Sequence, residues 1–438
     1  MVPTRRLAAV AAILGIALWF YPGDLVGGLW GTLAVLNAAL LGVALLDAVL
    51  APTSSNLEIA RSFPPVVVMG TEAEWRWRLV NRGGRRMKVR IADELAPSLH
   101  ARRRRFSVSL DPRARAEVST VIHPSRRGRF VVSELVVRVE GPLGLCMRQR
   151  RRQSPSVLRV YPPFRSRDEA ELRIRKARIL EVGLRSAKGV GGGTEFEQLR
   201  EYTPDDELRR VDWAASARTG RMIVRTYRPE RNQTVILLLD NGRLMAAQVG
   251  GVPRIEHAMD AAIMVGHVAT HLGDKAGMIT FDAAVRSIVP PARRHDQTSQ
   301  LTEAMYALEP VLLESDYQGA FTAMLARFRR RSLIVILSDL AEQSVGDTLL
   351  PALPLLLRHH VVVIGAVRDP EVVAWASSTP ADADEAYRKV AAVSALAERD
   401  RTVARLRGVG ATVIDAPPGR LAPQLADAYL AIKSTGRL

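Results

Sequence analysis

Two uninterrupted apolar runs open the chain, residues 7–23 and residues 25–46, and neither contains a charged side chain. A helix needs about 20 apolar residues to cross the hydrocarbon core of a bilayer. The second run meets this, and the first does so once its ends are counted. Pro22, Gly23 and Asp24 between them predict a tight turn, flanked by Trp19, Tyr21 and Trp30 where an aromatic belt would sit. The pattern predicts an N-terminal transmembrane helical hairpin over residues 1–50. Arg5 and Arg6 precede it, Arg61 and later arginines follow it, and the connector has no basic residue. The positive-inside rule then places both termini and the soluble domains in the cytoplasm of a multi-pass cell-membrane protein. A cleaved signal peptide over residues 1–22 competes, but no small-x-small site precedes Pro22.

Residues 57–162 change period. Apolar and polar positions alternate over residues 74–80, 87–91, 106–110, 116–122 and 130–139, with turn signals at Asn81-Arg82-Gly83-Gly84, Asp111-Pro112, Arg127-Gly128 and Gly141-Pro142. Short strands at this spacing predict a β-sandwich-like domain whose alternating arginines point outward. Residues 163–232 read as a charged connector, with a helix from Asp168 to Leu184. The glycines Gly189, Gly191, Gly192 and Gly193 follow, without the frame of a phosphate-binding loop.

From Thr234 onward strands and helices alternate. Strands are expected at 234–240, 275–281, 285–289, 332–338, 361–367 and 411–415. Helices are expected at 254–272, 297–308, 317–329, 346–358, 386–407 and 420–432. Apolar runs this continuous are buried on both faces of a sheet, as in doubly wound parallel folds. Ligands on such folds bind beyond the carboxyl ends of the strands, where Asp240 and Asp339 fall.

Charge sharpens the picture. Lys and Arg number 62 against 45 Asp and Glu, a formal net charge of +17. Residues 57–160 hold 23 basic and 9 acidic residues, so +14 of the excess sits in the β region, with runs at 102–105 and 150–152. Such a face is either simply solvated or attracted to anionic lipid. No zinc-finger, RRM or helix-turn-helix signature accompanies the arginines, so specific nucleic-acid binding is not expected. The single cysteine, Cys146, excludes a disulfide framework.

The most distinctive segment is residues 193–228. It carries the frame Phe196…Leu199-Arg200-x-Tyr202…Asp206…Arg209…Asp212-Trp213…Ser216-Ala217-Arg218. From the residues alone it is either an ion-paired clamp beside the next domain or a docking surface, since aromatics among arginines are typical of interface hot spots. This frame, followed by a strand ending in Asp240, resembles the domain-of-unknown-function 58 family. The paired spans, the β region and Val160-Tyr161-Pro162 resemble it as well. Asp205 departs from the family, which usually has Gly there.

The resemblance implies a C-terminal α/β domain of the von Willebrand factor type A kind over residues 233–438. It also implies a MoxR-type AAA+ ATPase as partner. Domains of that fold often carry a metal-ion-dependent adhesion site with a DxSxS first loop, whose hydroxyls and carboxylates suit Mg²⁺. Here the loop reads Asp240-Asn241-Gly242-Arg243-Leu244, and both serines are missing. Ser315 would stand for the second-loop threonine and Asp339 for the third-loop aspartate. The expectation is a degenerate metal site of Asp240, Ser315 and Asp339. The competing reading makes Asp240 and Asp339 electrostatic caps of loops and helix starts.

No HExxH motif, GxSxG elbow or Walker A loop is present. His267 and His271 lie four apart on an expected helix, without a carboxylate at metal spacing in the sequence. The expected fold is thus multidomain: helical hairpin, β-sandwich-like domain, α/β doubly wound domain. The expected function is a membrane-anchored cytoplasmic scaffold or adaptor that binds protein partners without catalysis. Two alternatives stay open: a metal-assisted hydrolase using Asp240 and Asp339, and binding of nucleic acid or anionic lipid through the basic β domain.

Overall fold

The computed structural model describes the chain except residues 21–27, 188–194, 205, 229–232 and 436–438. The expected turn at Pro22, Gly23 and Asp24 with Tyr21, the glycines 189 and 191–193, and Asp205 lie outside the described residues. The chain forms two compact units, Met1–Tyr161 and Pro162–Leu438.

The first unit begins with β1 (Val2–Pro3), α1 (Arg5–Trp19) and α2 (Gly28–Leu50). Thr4 starts α1 by accepting the Leu7 N–H on its side chain. The 15 residues of α1 span about 22 Å at ~1.5 Å per residue, short of a hydrocarbon core of ~30 Å. Among the described residues one helical stretch, Trp30–Asn56, with mean hydropathy 2.3, is long and apolar enough to cross a membrane. Of the expected pair of crossings, the second meets this test among the described residues, and α1 over its described length does not. α2 also runs beyond the apolar run and takes in Asp47.

Eight strands follow: β2 (Leu57–Ser62), β3 (Val66–Val68), β4 (Ala73–Asn81), β5 (Met87–Asp93), β6 (Arg105–Leu110), β7 (Arg115–Ile122), β8 (Gly128–Glu140) and β9 (Cys146–Tyr161). One sheet has the order β1-β9-β8-β5-β6, with β3 added parallel to β9. The other has the order β2-β4-β7. The period of two decides what is inside. Trp75, Trp77 and Leu79 of β4 and Met87, Val89 and Ile91 of β5 are buried in one core, while Arg76, Arg78, Lys88 and Arg90 are exposed.

Arg61, the first basic residue after the apolar helices, turns inward. Its guanidinium is buried and pairs with Asp93 at 2.7 and 2.9 Å, with only 2% and 1% of the two side chains exposed. Asp93 also accepts the Trp77 indole N–H at 2.6 Å, and Arg61 donates to the carbonyls of Val132, Ser154 and Glu134. These bonds join β2 and β4 of one sheet to β5, β8 and β9 of the other.

In the second unit, α3 (Arg167–Ala187) leads to the hairpin β10 (Glu195–Glu201) and β11 (Ile223–Arg228), which encloses α4 (Trp213–Thr219). Then come β12 (Thr234–Asp240), the short β13 (Gln248–Val249) and β14 (Val252–Pro253), α5 (Arg254–His271), β15 (Lys275–Phe281), β16 (Val285–Ala292), α6 (Gln297–Met305), α7 (Tyr317–Arg327) and β17 (Leu333–Leu337). The chain ends through α8 (Glu342–Ser344), α9 (Leu350–Leu357), β18 (Val361–Val367), α10 (Pro370–Ser377), α11 (Ala383–Gly408), β19 (Thr412–Ala416) and α12 (Leu421–Ser434).

The central sheet has the order β16-β15-β12-β17-β18-β19. Five strands are parallel, and β16 at the edge is antiparallel, which departs from a purely parallel sheet. Val235, Leu237 and Leu239 of β12 pack with residues of α3, α5 and α12, and Ile236 and Leu238 with residues of α7, α9 and α11. Burial on both faces accounts for the unbroken apolar run. α3, expected within a connector, contributes Ala170 and Ile174 to the core of this unit.

Candidate functional site

At the carboxyl ends of the parallel strands lie Asp240, Asp339 and Asp415, the latter two with arginine partners. Asp240 ends β12 and is buried, with 1% of its surface exposed, and burial pushes its pKa up. Four donors oppose that shift. The Ser315 hydroxyl (2.5 Å) and the Gly242 N–H (2.8 Å) reach Oδ1, and the Ser338 hydroxyl (2.5 Å) and the Tyr317 phenol (2.9 Å) reach Oδ2. The Tyr317 pKa is driven well above its ordinary value, by burial first and by the Asp240 charge second.

Gly242 explains one missing serine. A Cβ at this position would lie 2.0 Å from Ser315 Oγ, so only glycine lets the Ser315 hydroxyl reach Asp240. Arg243 of the same loop pairs with Glu314 at 2.5 Å on the surface.

Asp339 lies between two guanidiniums, Arg254 at 2.7 Å and Arg399 at 2.9 Å. Arg399 also forks onto Asp415 at 2.8 and 2.9 Å and donates to the Val367 carbonyl at 3.0 Å. Arg368 reaches Asp415 at 2.8 Å. Burial works against the Arg399 charge, yet Asp415 and Asp339 hold its pKa above the ordinary value. The loop after β17, the strand β19 and the middle of α11 are thereby tied together.

Asp240 and Ser315 are brought together as expected, but the set does not fit Mg²⁺. Both Asp240 oxygens are taken by internal donors, and two fixed cations hold Asp339. Among the described residues no group of three or more His, Cys, Asp or Glu is arranged to hold a metal. Ser338, Tyr317, Arg254 and Arg399 were not singled out in the sequence. The adjacency Ser338-Asp339 at a strand end was the available signal for the first. His267 does have a carboxylate partner, Glu171 of α3, at 3.2 Å, and burial lowers the His267 pKa.

The signature segment folds as a braced hairpin. Arg200 forks onto Asp206 at 2.6 and 2.7 Å, and Asp206 also accepts the Thr203 N–H and hydroxyl. Burial opposes the Asp206 charge, but Arg200 and Thr203 outweigh it and lower its pKa. Asp212 caps α4 through the Ala215 N–H (3.0 Å) and pairs with Arg225 at 2.8 Å. The Ser216 hydroxyl closes the turn, donating to the Asp212 carbonyl and accepting the Ile223 N–H. Arg209 pairs with Glu207, and Arg218 donates to the Ala214 carbonyl. The Tyr202 N–H bonds the Met222 carbonyl, and the Phe196 backbone is in register with Tyr227. This bracing leaves large apolar side chains outward, the most exposed being Trp213 at 67% and Leu208 at 61%, with Leu199 and Met222 less so.

Residues 198–374 match the model of the family described as Protein of unknown function DUF58. The match takes in Asp240, Ser315, Asp339 and the hairpin from β10 onward, and it ends within α10. The uncharacterized protein Rv1480 of Mycobacterium tuberculosis (strain ATCC 25618 / H37Rv) is 27% identical over 238 residues, which is 51% of this chain and 74% of that protein. The uncharacterized protein Mb1516 of Mycobacterium bovis gives the same figures. Among solved structures, the conserved hypothetical protein BatB from Bacteroides thetaiotaomicron aligns at 14% identity over 47% of this chain and 100% of that one, with a TM-score of 0.31. The CARDB domain of the PF1109 protein from Pyrococcus furiosus aligns at 18% identity over 24% of this chain and 86% of that one, with a TM-score of 0.18. With scores this low, the fold rests on the strand order and register described above.

Proposed function

We propose that this protein is a membrane-anchored cytoplasmic scaffold or adaptor that acts by binding proteins. In this reading α1 and α2 form the anchor, with both termini and both soluble units in the cytoplasm. The second unit is a von Willebrand factor type A-like module, a reading supported by its Asp-ended central strand and mixed six-stranded sheet. The partner is the one the family resemblance implies, a MoxR-type AAA+ ATPase.

One observation carries the proposal: an ion-paired hairpin holds Trp213 and Leu208 out to solvent among arginines. Leaving a tryptophan exposed forgoes burial of a large apolar surface, and rigid aromatic anchors with neighbouring arginines dominate protein interfaces. The hydrolase alternative is weakened by the donors that already occupy Asp240 and Asp339.

Binding of the purified ATPase to the detergent-solubilised full chain, with and without ATP, tests the proposal. We expect saturable binding that Trp213→Ala weakens about 30-fold, or ~2 kcal/mol. The thermal midpoint should be unchanged, since the side chain is exposed. No binding above a control membrane protein, or binding indifferent to Trp213→Ala, would overturn it.

A further inference from the structure

α2 carries no charged side chain until Asp47, three residues before its end. Asp47 is fully buried, and the β8–β9 loop buries it. Its carboxylate accepts the backbone N–H groups of Leu143 (2.7 Å), Leu145 (2.8 Å) and Cys146 (2.9 Å). The approach is so close that a Cβ on Gly141 would lie 2.4 Å from Asp47 Oδ1. From the other side Thr4, just before α1, donates its N–H to the Leu145 carbonyl (3.0 Å) and its hydroxyl to that of Gly144 (2.7 Å). Leu7, Ala44, Ala48, Leu145 and Cys146 close a small apolar cluster around this joint.

The loop is thus fixed at the level of the last turns of α2. At that level the outward side chains of the helix are Leu45, Leu46, Val49 and Leu50, all exposed and apolar. On the loop Pro142 is exposed and Leu143 is 56% exposed. An apolar side chain held out beside an apolar helix surface is in place to share the environment of that surface. Arg5 and Arg6 are the first two residues of α1, and Arg148 lies two residues beyond Cys146; all are exposed, Arg6 at 3.8 Å from Glu140. Cations in such positions meet the headgroups of an anionic leaflet.

We propose that the β8–β9 loop is a wedge at the membrane interface. Pro142 and Leu143 enter the boundary between headgroups and acyl chains, Arg5, Arg6 and Arg148 face lipid phosphates, and Asp47 is the buried latch that fixes loop and helix in one register. The proposal rests on α2 spanning the membrane. It goes further in giving the β unit a defined seat on the bilayer.

Depth-dependent fluorescence quenching tests it on the full chain in vesicles of equal parts phosphatidylcholine and phosphatidylglycerol. A polarity-sensitive probe is attached to Leu143→Cys, Leu41→Cys or Ser133→Cys, each with Cys146→Ala. Ser133 lies seven residues back along β8 from Glu140, about 23 Å away at ~3.3 Å per residue. Lipids brominated deep in the chain should quench the probe at position 41, and lipids brominated near the headgroup should quench the probe at 143. The probe at 133 should be quenched by neither. Asp47→Asn should cut the quenching at 143 severalfold and leave that at 41 unchanged. Quenching at 41 with none at 143 overturns the wedge alone. Quenching at neither overturns the membrane span and the wedge with it. Undiminished quenching at 143 in Asp47→Asn overturns the latch.

Discussion

A carboxylate at the end of a buried strand can be satisfied by a cation, a guanidinium or a set of hydroxyls. This chain uses the last two at neighbouring positions. Asp240 draws on Ser315, Ser338 and Tyr317, and Asp339 draws on Arg254 and Arg399. The consequence for Asp240 has a definite sign. Its folded pKa is raised above the unfolded value of about 3.9. Its contribution to stability is therefore complete below that value and is lost as pH rises through the folded pKa. Asp240→Asn removes this dependence, so the stability of the variant relative to wild type should climb between pH 4 and neutrality. Thermal unfolding across that range checks it, and a parallel pair of curves would contradict it. Asp240→Ala should instead cost about 2–4 kcal/mol, because three hydroxyls lose their shared acceptor. Asp240 was legible in the sequence as the acid that ends an apolar run. Of its partners only Ser315 was expected, through the family resemblance; Tyr317 and Ser338 were not, because they lie 77 and 98 residues away, and Arg399 lies 60 residues from Asp339.

At the scale of elements, burial determined what could be read. The strands at 234–240, 275–281 and 361–367 coincide with β12, β15 and β18, since two buried faces leave an apolar run with sharp ends. α10 was not expected. Its eight residues are too few to display a helical period, although Asp369-Pro370 is a start signal, with Asp369 accepting the Glu371 N–H at 2.9 Å. The Arg61–Asp93 pair joins elements in a way no local pattern reveals. Removing one member strands a buried charge, so Arg61→Ala should cost about 3–5 kcal/mol, and Arg61→Met with Asp93→Leu should recover part of that. Denaturant unfolding followed by tryptophan fluorescence reads this directly, because Trp75 and Trp77 sit in the same core. A single variant as stable as wild type would show that the pair does not hold the two sheets together.

Across the whole molecule, the order of parts was legible from the succession of patterns along the chain: apolar helices, a basic β unit and an α/β unit. The assignment of α3 to the second core was hidden, because its charged surface masks the few positions that pack. The excess of +14 over residues 57–160 places the positive charge of the chain in the same unit as its apolar helix. The partner of the proposed function belongs elsewhere, at the hairpin that exposes Trp213. The most direct test replaces Trp213 with a photoreactive amino acid in the full chain in native membranes, with Glu117 as the control site, and identifies the crosslinked protein by mass spectrometry. The account predicts an adduct with a MoxR-type ATPase at position 213 and none at 117. Equal labelling at both positions, or no protein adduct at 213, would contradict it.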